Sequence, residues 1–195
     1  MIFTPTRDGM PRSRMLALCC AAAGAIVAGC ARNIRPIPPA AHVDVQRFMG
    51  SWYVIASIPT FLEKRAYNAI ESYDLLPDGR IQTTFRYRND GFDAPLKTMR
   101  PVGTVQPNTG NAVWGMQFIW PIKAEYIVAY LDDNYRETII ARNKRDYVWI
   151  MARTPSIPQV DYGALVDRVR QLGYSTQNLR MVPQKWPESS PARNE

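Results

Sequence analysis

Between Ile81 and Arg88 the chain alternates without a break: Ile81, Thr83, Phe85 and Tyr87 fall on one face, and Gln82, Thr84, Arg86 and Arg88 on the other. A period of two is that of a strand with one apolar and one wet face. Runs of similar length recur from Ser51 to Arg153, separated by turn chemistry at Leu76-Pro-Asp-Gly-Arg80, Asn89-Asp-Gly91, Pro107-Asn-Thr-Gly-Asn111, Asp132-Asp-Asn134 and Asn143-Lys-Arg-Asp146. The pattern predicts eight strands: Ser51 to Ile58, Ala66 to Leu75, Arg80 to Arg88, Lys97 to Val105, Asn111 to Phe118, Lys123 to Leu131, Tyr135 to Arg142 and Tyr147 to Arg153. Most connections are too short for crossover helices, so consecutive strands should pair antiparallel. Eight strands paired in this way can close into an all-β, up-and-down barrel and leave no sheet edge. After them, Leu165, Val166, Val169 and Leu172 recur at helical spacing between Asp161 and Tyr174, with Asp161 as N-cap candidate and Gly173 at the end. One C-terminal helix should pack on the barrel wall.

The N-terminus follows a different pattern. Arg7, Arg12 and Arg14 precede an unbroken apolar run from Met15 to Val27, too short to span a bilayer as a helix. This is the layout of a cleaved signal peptide. It ends in Val27-Ala28-Gly29-Cys30, which resembles a bacterial lipobox, whose cysteine is diacylated and becomes the new N-terminus. Ala31 follows in place of the aspartate that resembles an inner-membrane retention signal, so the outer membrane is favoured. The expected organisation is a signal peptide over 1–29, a lipidated Cys30 with an extended proline-rich tether to residue 42, the barrel domain over 43–183, and a flexible polar tail over 184–195.

Composition adds three constraints. The chain of 195 residues suits one sizeable core better than two domains. Its net charge of +7 becomes +5 once residues 1–29 are removed. The cations are scattered rather than clustered, which argues against a nucleic-acid groove and makes anionic lipid headgroups a reasonable neighbour. Cys19 and Cys20 leave with the signal peptide and Cys30 is consumed by lipid, so no disulfide is expected in the mature fold.

A family resemblance enters with an ordered set of motifs. Gly50-Ser-Trp52 at the start of the first strand resembles the lipocalin Gly-x-Trp signature. It is joined by Tyr73 with Asp78-Gly79-Arg80-Ile81, by Asp132-Asp-Asn-Tyr135, and by Asp146-Tyr-Val-Trp-Ile-Met-Ala-Arg153-Thr-Pro155. Together they are similar to the bacterial lipocalins, relatives of apolipoprotein D, across roughly residues 43 to 183. Asp132-x-x-Tyr135 departs from the more common Thr-Asp-Tyr. The resemblance implies that Arg153 packs over Trp52 and closes the base of the barrel, both residues being structural. It also implies a carrier or store for a fatty acid or lysophospholipid in outer-membrane maintenance, lipid-anchored at the periplasmic face.

The alternation and the motifs point Ala69, Tyr73, Phe85, Tyr87, Trp114, Met116, Phe118, Tyr126, Tyr130 and Trp149 into the barrel. They line a ligand site if the barrel is hollow and form an ordinary core if it is not. At the opposite rim Phe61, Leu62, Phe92, Ile119 and Trp120 suggest an apolar mouth. Glu71 shares the inward face of Ala69 and Tyr73; its partner is either Arg100 or water at a strand end, the second being the simpler expectation. His42 is the only histidine and lies in the tether, so a Ser-His or Cys-His nucleophile pair has no base in the barrel, and no Cys or His cluster offers a metal site. No cofactor is expected. Two rival readings stay open: a lipocalin-fold enzyme acting on a lipid, which needs an ionisable group in the cavity, and a structural lipoprotein with a filled barrel. Nothing in the sequence decides whether a homodimer forms.

Overall fold

A computed structural model describes Met1 and residues 35–60, 63–119 and 121–188. Residues 35–195 form one unit that carries its own cores. The signal peptide and Cys30 lie outside the described residues, as do Phe61, Leu62 and Trp120.

The strands are β1 (Gly50–Ile58), β2 (Ala66–Leu75), β3 (Ile81–Asn89), β4 (Leu96–Met99), β5 (Val102–Val105), β6 (Val113–Ile119), β7 (Ile122–Leu131), β8 (Glu137–Ala141), β9 (Val148–Ala152) and a short β10 (Arg180–Met181). Each pairs antiparallel with its neighbours, and β1 pairs with β9 to close the barrel, Tyr53 facing Ala152 and Ile58 facing Val148. The barrel has eight staves because β4 and β5 share one. The run expected from Lys97 to Val105 is broken at Arg100-Pro101, since proline has no N–H to give to a ladder. The Pro101 carbonyl still accepts from the Thr83 N–H at 2.9 Å, which keeps the stave in line.

Parity along the staves sorts two cores. Trp52, Val54, Ala69, Tyr73, Phe85, Trp114, Met116, Tyr126, Val128, Trp149 and Met151 are buried inside the barrel. Ile127, Ile139, Val148, Ile150 and Ala152 face outward, beneath the helix α2 (Gln159–Gln171), which contributes Leu165 and Val169. Tyr130, expected in the lumen, belongs to this outer layer. A register shift between Val128 and Tyr130 inserts one residue and turns the following side chain over. The Arg168 guanidinium then sits over the Tyr130 ring at 4.2 Å. The helix begins two residues before the expected start, capped at Pro158, so Asp161 lies in its first turn rather than at the N-cap. At the other end Gly173 takes φ +88°, and the Arg145 Nε donates to the Leu172 carbonyl at 2.8 Å.

Both segments expected to hang free are docked where they are described. Pro36, Pro38 and Pro39 have no N–H, and the donors of Ile37 between them and of Ala40 after them are each satisfied by the barrel: Ile37 N donates to Asn143 Oδ1 at 2.7 Å and Ala40 N to the Val128 carbonyl at 2.8 Å. Ile37 is buried in the outer layer. Farther along, Val43 N donates to the Gly110 carbonyl, and a Cβ on Gly110 would stand 2.2 Å from the Ala41 carbonyl oxygen, so only glycine permits this approach. In the tail, Gln184 Nε2 donates to the Val54 carbonyl at 2.8 Å, Lys185 N donates to Asn68 Oδ1 at 2.7 Å, and Glu188 pairs with Arg88 at 3.2 Å. Trp186 packs edge-on against Tyr53.

One end of the barrel is plugged. The short helix α1 (Val45–Phe48), capped by Asp44, places Phe48 against Trp52, Tyr73 and Trp114 at centroid distances of 4.9, 5.4 and 5.3 Å. Trp52 is fully buried and its indole N–H donates to the Phe48 carbonyl at 2.9 Å. The Arg153 guanidinium lies 3.8 Å over the Trp52 ring and donates to the carbonyls of Arg47, Phe48 and Ser51. The Tyr135 hydroxyl accepts from Asp44 N, and Asp132 accepts from the backbone of Asn134, Arg136 and Glu137. The signature positions thus stitch one rim together.

Candidate functional site

Above that plug the barrel is hollow. A cavity of about 810 Å³ opens toward the rim formed by the β1–β2 and β8–β9 connections. Among the residues expected to face a ligand, Phe85, Met116, Phe118, Tyr126 and Trp149 line it, with Phe118 nearly half exposed (46%) at the mouth. Tyr73 and Trp114 lie below, where they belong to the aromatic floor; Trp114 stacks on Tyr126 at 5.1 Å. Tyr87 stands behind Phe85, stacked at 4.9 Å. Phe92, expected at the mouth, does not line the cavity; it packs edge-on against Tyr67 at 5.0 Å.

Several lining residues escape a reading of single-strand alternation. Met99 enters through its pairing with Phe85, and Ala124 through its pairing with Met116. Tyr147 precedes β9, and it lies on the face of Trp149 as the alternation of the expected last strand implies, its ring 5.3 Å away. The rim adds Pro59, Thr60, Glu63, Arg100, Pro101, Arg142 and Asp146. The strand pairings could have identified Met99 and Ala124; only the folded loops could identify Glu63, whose carboxylate accepts from the Thr60 N at 2.8 Å and from the Thr60 hydroxyl. Arg142 pairs with Asp146 at 3.0 Å and lies over the Tyr147 ring.

Glu71 corrects the simpler expectation. It is 2% exposed and lines the cavity, so it is not a strand-end carboxylate open to water. Its partner is not Arg100 either. The Tyr73 hydroxyl donates to Glu71 Oε2 at 2.6 Å, and the Tyr73 and Tyr126 hydroxyls are hydrogen-bonded to each other. Burial pushes the Glu71 carboxyl up to about 7, the Tyr73 hydrogen bond opposing and the Glu63 charge adding to the rise. Burial likewise drives the Tyr73 and Tyr126 hydroxyls well above the ordinary tyrosine range. The floor of the cavity therefore holds two neutral phenols and a hydrogen-bonded carboxyl that exchanges its proton near pH 7. Among the described residues no group of three or more His, Cys, Asp or Glu side chains is arranged to hold a metal.

Comparison with known proteins matches the lipocalin-like domain family over residues 43–184. Temperature-induced lipocalin-1 of Arabidopsis thaliana is 30% identical over 160 residues, 77% of this chain and 85% of that protein. The outer membrane lipoprotein Blc of Escherichia coli K12 is 29% identical over 74% of this chain and 82% of its own length. Apolipoprotein D of Bos taurus is 27% identical over 79% and 85%. Among solved structures, insecticyanin of the tobacco hornworm Manduca sexta superposes with a TM-score of 0.61 at 15% identity, covering 79% of this chain and 87% of that one, a likeness of fold.

Proposed function

The chain belongs to the lipocalin family, and on that premise we propose that it is a lipid carrier or store of the bacterial envelope, holding a fatty acid or lysophospholipid by its acyl chain inside the barrel. The observation that carries this reading is the hollow of about 810 Å³ above a sealed aromatic floor, walled by Phe85, Met99, Met116, Tyr126 and Trp149. Such a volume lies within the range of ordinary small-molecule pockets, and apolar walls favour an alkyl chain over water. It also fits poorly with a structural lipoprotein whose barrel is filled. Arg100 and the exposed Lys97 and Lys123 on the mouth-side strands suit an anionic headgroup left outside.

The acyl anchor is carried by Cys30 in this reading, with the protein on the periplasmic face of the outer membrane; the relatives called Blc are outer membrane lipoproteins by name. The chain reaches the body at the mouth end, where Arg145 donates to the Arg35 carbonyl at 2.7 Å. Four residues lie between Cys30 and Arg35, a span on the order of 17 Å when extended, so an anchored protein would hold its mouth toward the lipid. Residues 35–195, produced without the anchor and examined by native mass spectrometry, should carry a co-purifying lipid and bind lysophosphatidylcholine saturably. An empty protein that shows no saturable binding would overturn the carrier reading. Cys30→Ser should leave the protein unacylated, since a serine hydroxyl cannot form the thioether; acylation that persists would overturn the anchor.

A second reading has one observation in its favour. Glu71 is a cavity-lining carboxyl poised near neutrality beside two phenols, an arrangement suited to proton transfer on a bound lipid. Chemical change in a lipid incubated with the wild type, abolished by Glu71→Gln, would support an enzyme; recovery of unaltered lipid supports the carrier.

A further inference from the structure

An acyl chain and an ionised carboxylate cannot share one cavity without a large desolvation cost, since the chain displaces the water that solvates the charge. Glu71 brings the two together. It lines the hollow at 2% exposure, opposite Trp52 on β1 and Phe85 on β3. The Tyr73 hydroxyl donates to Oε2, whereas Oε1 has no described hydrogen bond and is not among the fully enclosed polar atoms. The little surface that Glu71 keeps is therefore surface on the cavity. The groups around it supply no counter-charge. Glu63, in the β1–β2 connection, adds a like charge. Tyr73, Tyr126 on β7 and Tyr147 before β9 are phenols that burial holds above the ordinary tyrosine range. Arg142 at the rim is paired with Asp146, and Arg100 makes no described ion pair with Glu71.

The open cavity admits water to Oε1, and in that state the carboxyl exchanges its proton at about 7. A lipid chain lying over the same oxygen replaces water with methylene groups, which return no hydrogen bond and disfavour the charged form. The protonated carboxyl loses far less, because it carries no net charge and still accepts from Tyr73. We propose that Glu71 couples lipid occupancy to a proton, so that the barrel holds an acyl chain most tightly when this carboxyl is protonated and loosens its hold as the carboxyl ionises. By linkage, a tenfold change in how tightly the carboxyl holds its proton becomes, across the whole titration, a tenfold change in how tightly the protein holds the lipid. Below about pH 7 the group is already neutral and the lipid enters without proton exchange; above it, entry requires proton uptake and affinity declines. This inference rests on the carrier reading and adds the condition under which the carrier loads and releases.

Lysophosphatidylcholine is the probe, because its phosphodiester and quaternary ammonium do not titrate near neutrality and any pH dependence must come from the protein. In calorimetric titration of residues 35–195, with a native melting transition confirmed at each pH, affinity should be about tenfold weaker at about pH 9 than at about pH 5.5. Near about pH 7.5 the heats in phosphate and in Tris should differ by the amount that corresponds to uptake of about half a proton per lipid. Glu71→Gln keeps the shape of the side chain without its titration; it should bind within about threefold of the wild type at acid pH and keep that affinity at alkaline pH. The buffer comparison uses the unaltered protein, so it decides the matter even where the variant does not fold. A wild-type affinity independent of pH, equal proton-corrected heats in the two buffers, or a decline that Glu71→Gln reproduces would overturn the coupling and leave the carrier reading intact. An affinity that rises with pH also overturns it, and would mean that the choline ammonium seeks the ionised carboxylate. Absence of binding at every pH overturns both readings.

Discussion

The two halves of the barrel are built from the same staves and differ in what fills them. In the lower half Phe48, Trp52, Tyr73 and Trp114 pack ring against ring, and Phe48 reaches that cluster from outside the staves, on the plug helix α1. In the upper half Phe85, Met116 and Trp149 project inward on the same period of two, yet a cavity of about 810 Å³ remains. No described helix plugs that end. A barrel of eight strands is just wide enough for its own side chains to fill, so one additional element decides whether a level is core or pocket. Glu71 marks the boundary, bonded downward to the aromatic floor and lining the space above.

The strongest way to break this contrast is at the base. Trp52→Ala removes a fully buried indole, and with it the platform beneath Arg153; the fold should lose roughly 3–5 kcal/mol in denaturant unfolding, while the protein that remains folded keeps its lipid affinity. Unchanged stability would mean that the plug does not hold the base together.

Glu71 tests the boundary through pH. Its folded carboxyl lies at about 7 against an ordinary 4.5, so between those values the native state holds a proton that the unfolded chain has released. Stability from this group is fully present below about pH 4.5 and is lost as pH rises through about 7, on the order of 3 kcal/mol in all. Urea midpoints taken from pH 4 to pH 8 should show that decline in the wild type and a flatter profile in Glu71→Gln.

A smaller effect is expected for Arg153→Met, which keeps bulk over Trp52 but removes the guanidinium and its donations to the backbone carbonyls of Arg47, Phe48, Ser51 and Tyr135. Destabilisation of about 1–2 kcal/mol is expected from thermal melting. Phe118→Ser, at the mouth, sharpens the comparison from the other side. The ring is nearly half exposed, so stability should change by less than about 0.5 kcal/mol, whereas lysophosphatidylcholine should bind a few-fold more weakly in titration.

Much of this architecture is legible along the chain, for reasons that can be stated residue by residue. Ile81, Thr83, Phe85 and Tyr87 alternate because a stave divides lumen from exterior at every step, and the turn at Leu76-Pro-Asp-Gly-Arg80 declares itself through Gly79, which takes φ +79°. The pairing of Trp52 with Arg153 follows from counting strands, since both fall at the same end of adjacent staves. Tyr130 escaped because a one-residue bulge leaves no mark in the apolar pattern of β7. The tether and tail escaped because polarity and proline content describe solubility and reach, while the docking of Ile37 and of Lys185 depends on acceptors, Asn143 and Asn68, more than a hundred residues away.

The sequence by itself determined what depends on neighbours along the chain: the period of the strands, their turns, the order of the staves, the helix on the wall and the motifs that carry the family. Tertiary structure alone decided what depends on neighbours in space. That Phe48 would fill one end and leave the other hollow, and that Glu71 would meet Tyr73 rather than Arg100 or water, are outcomes of closure. Burial and pairing arise only when distant segments exclude water from a shared volume, and neither is written in the period of any one strand.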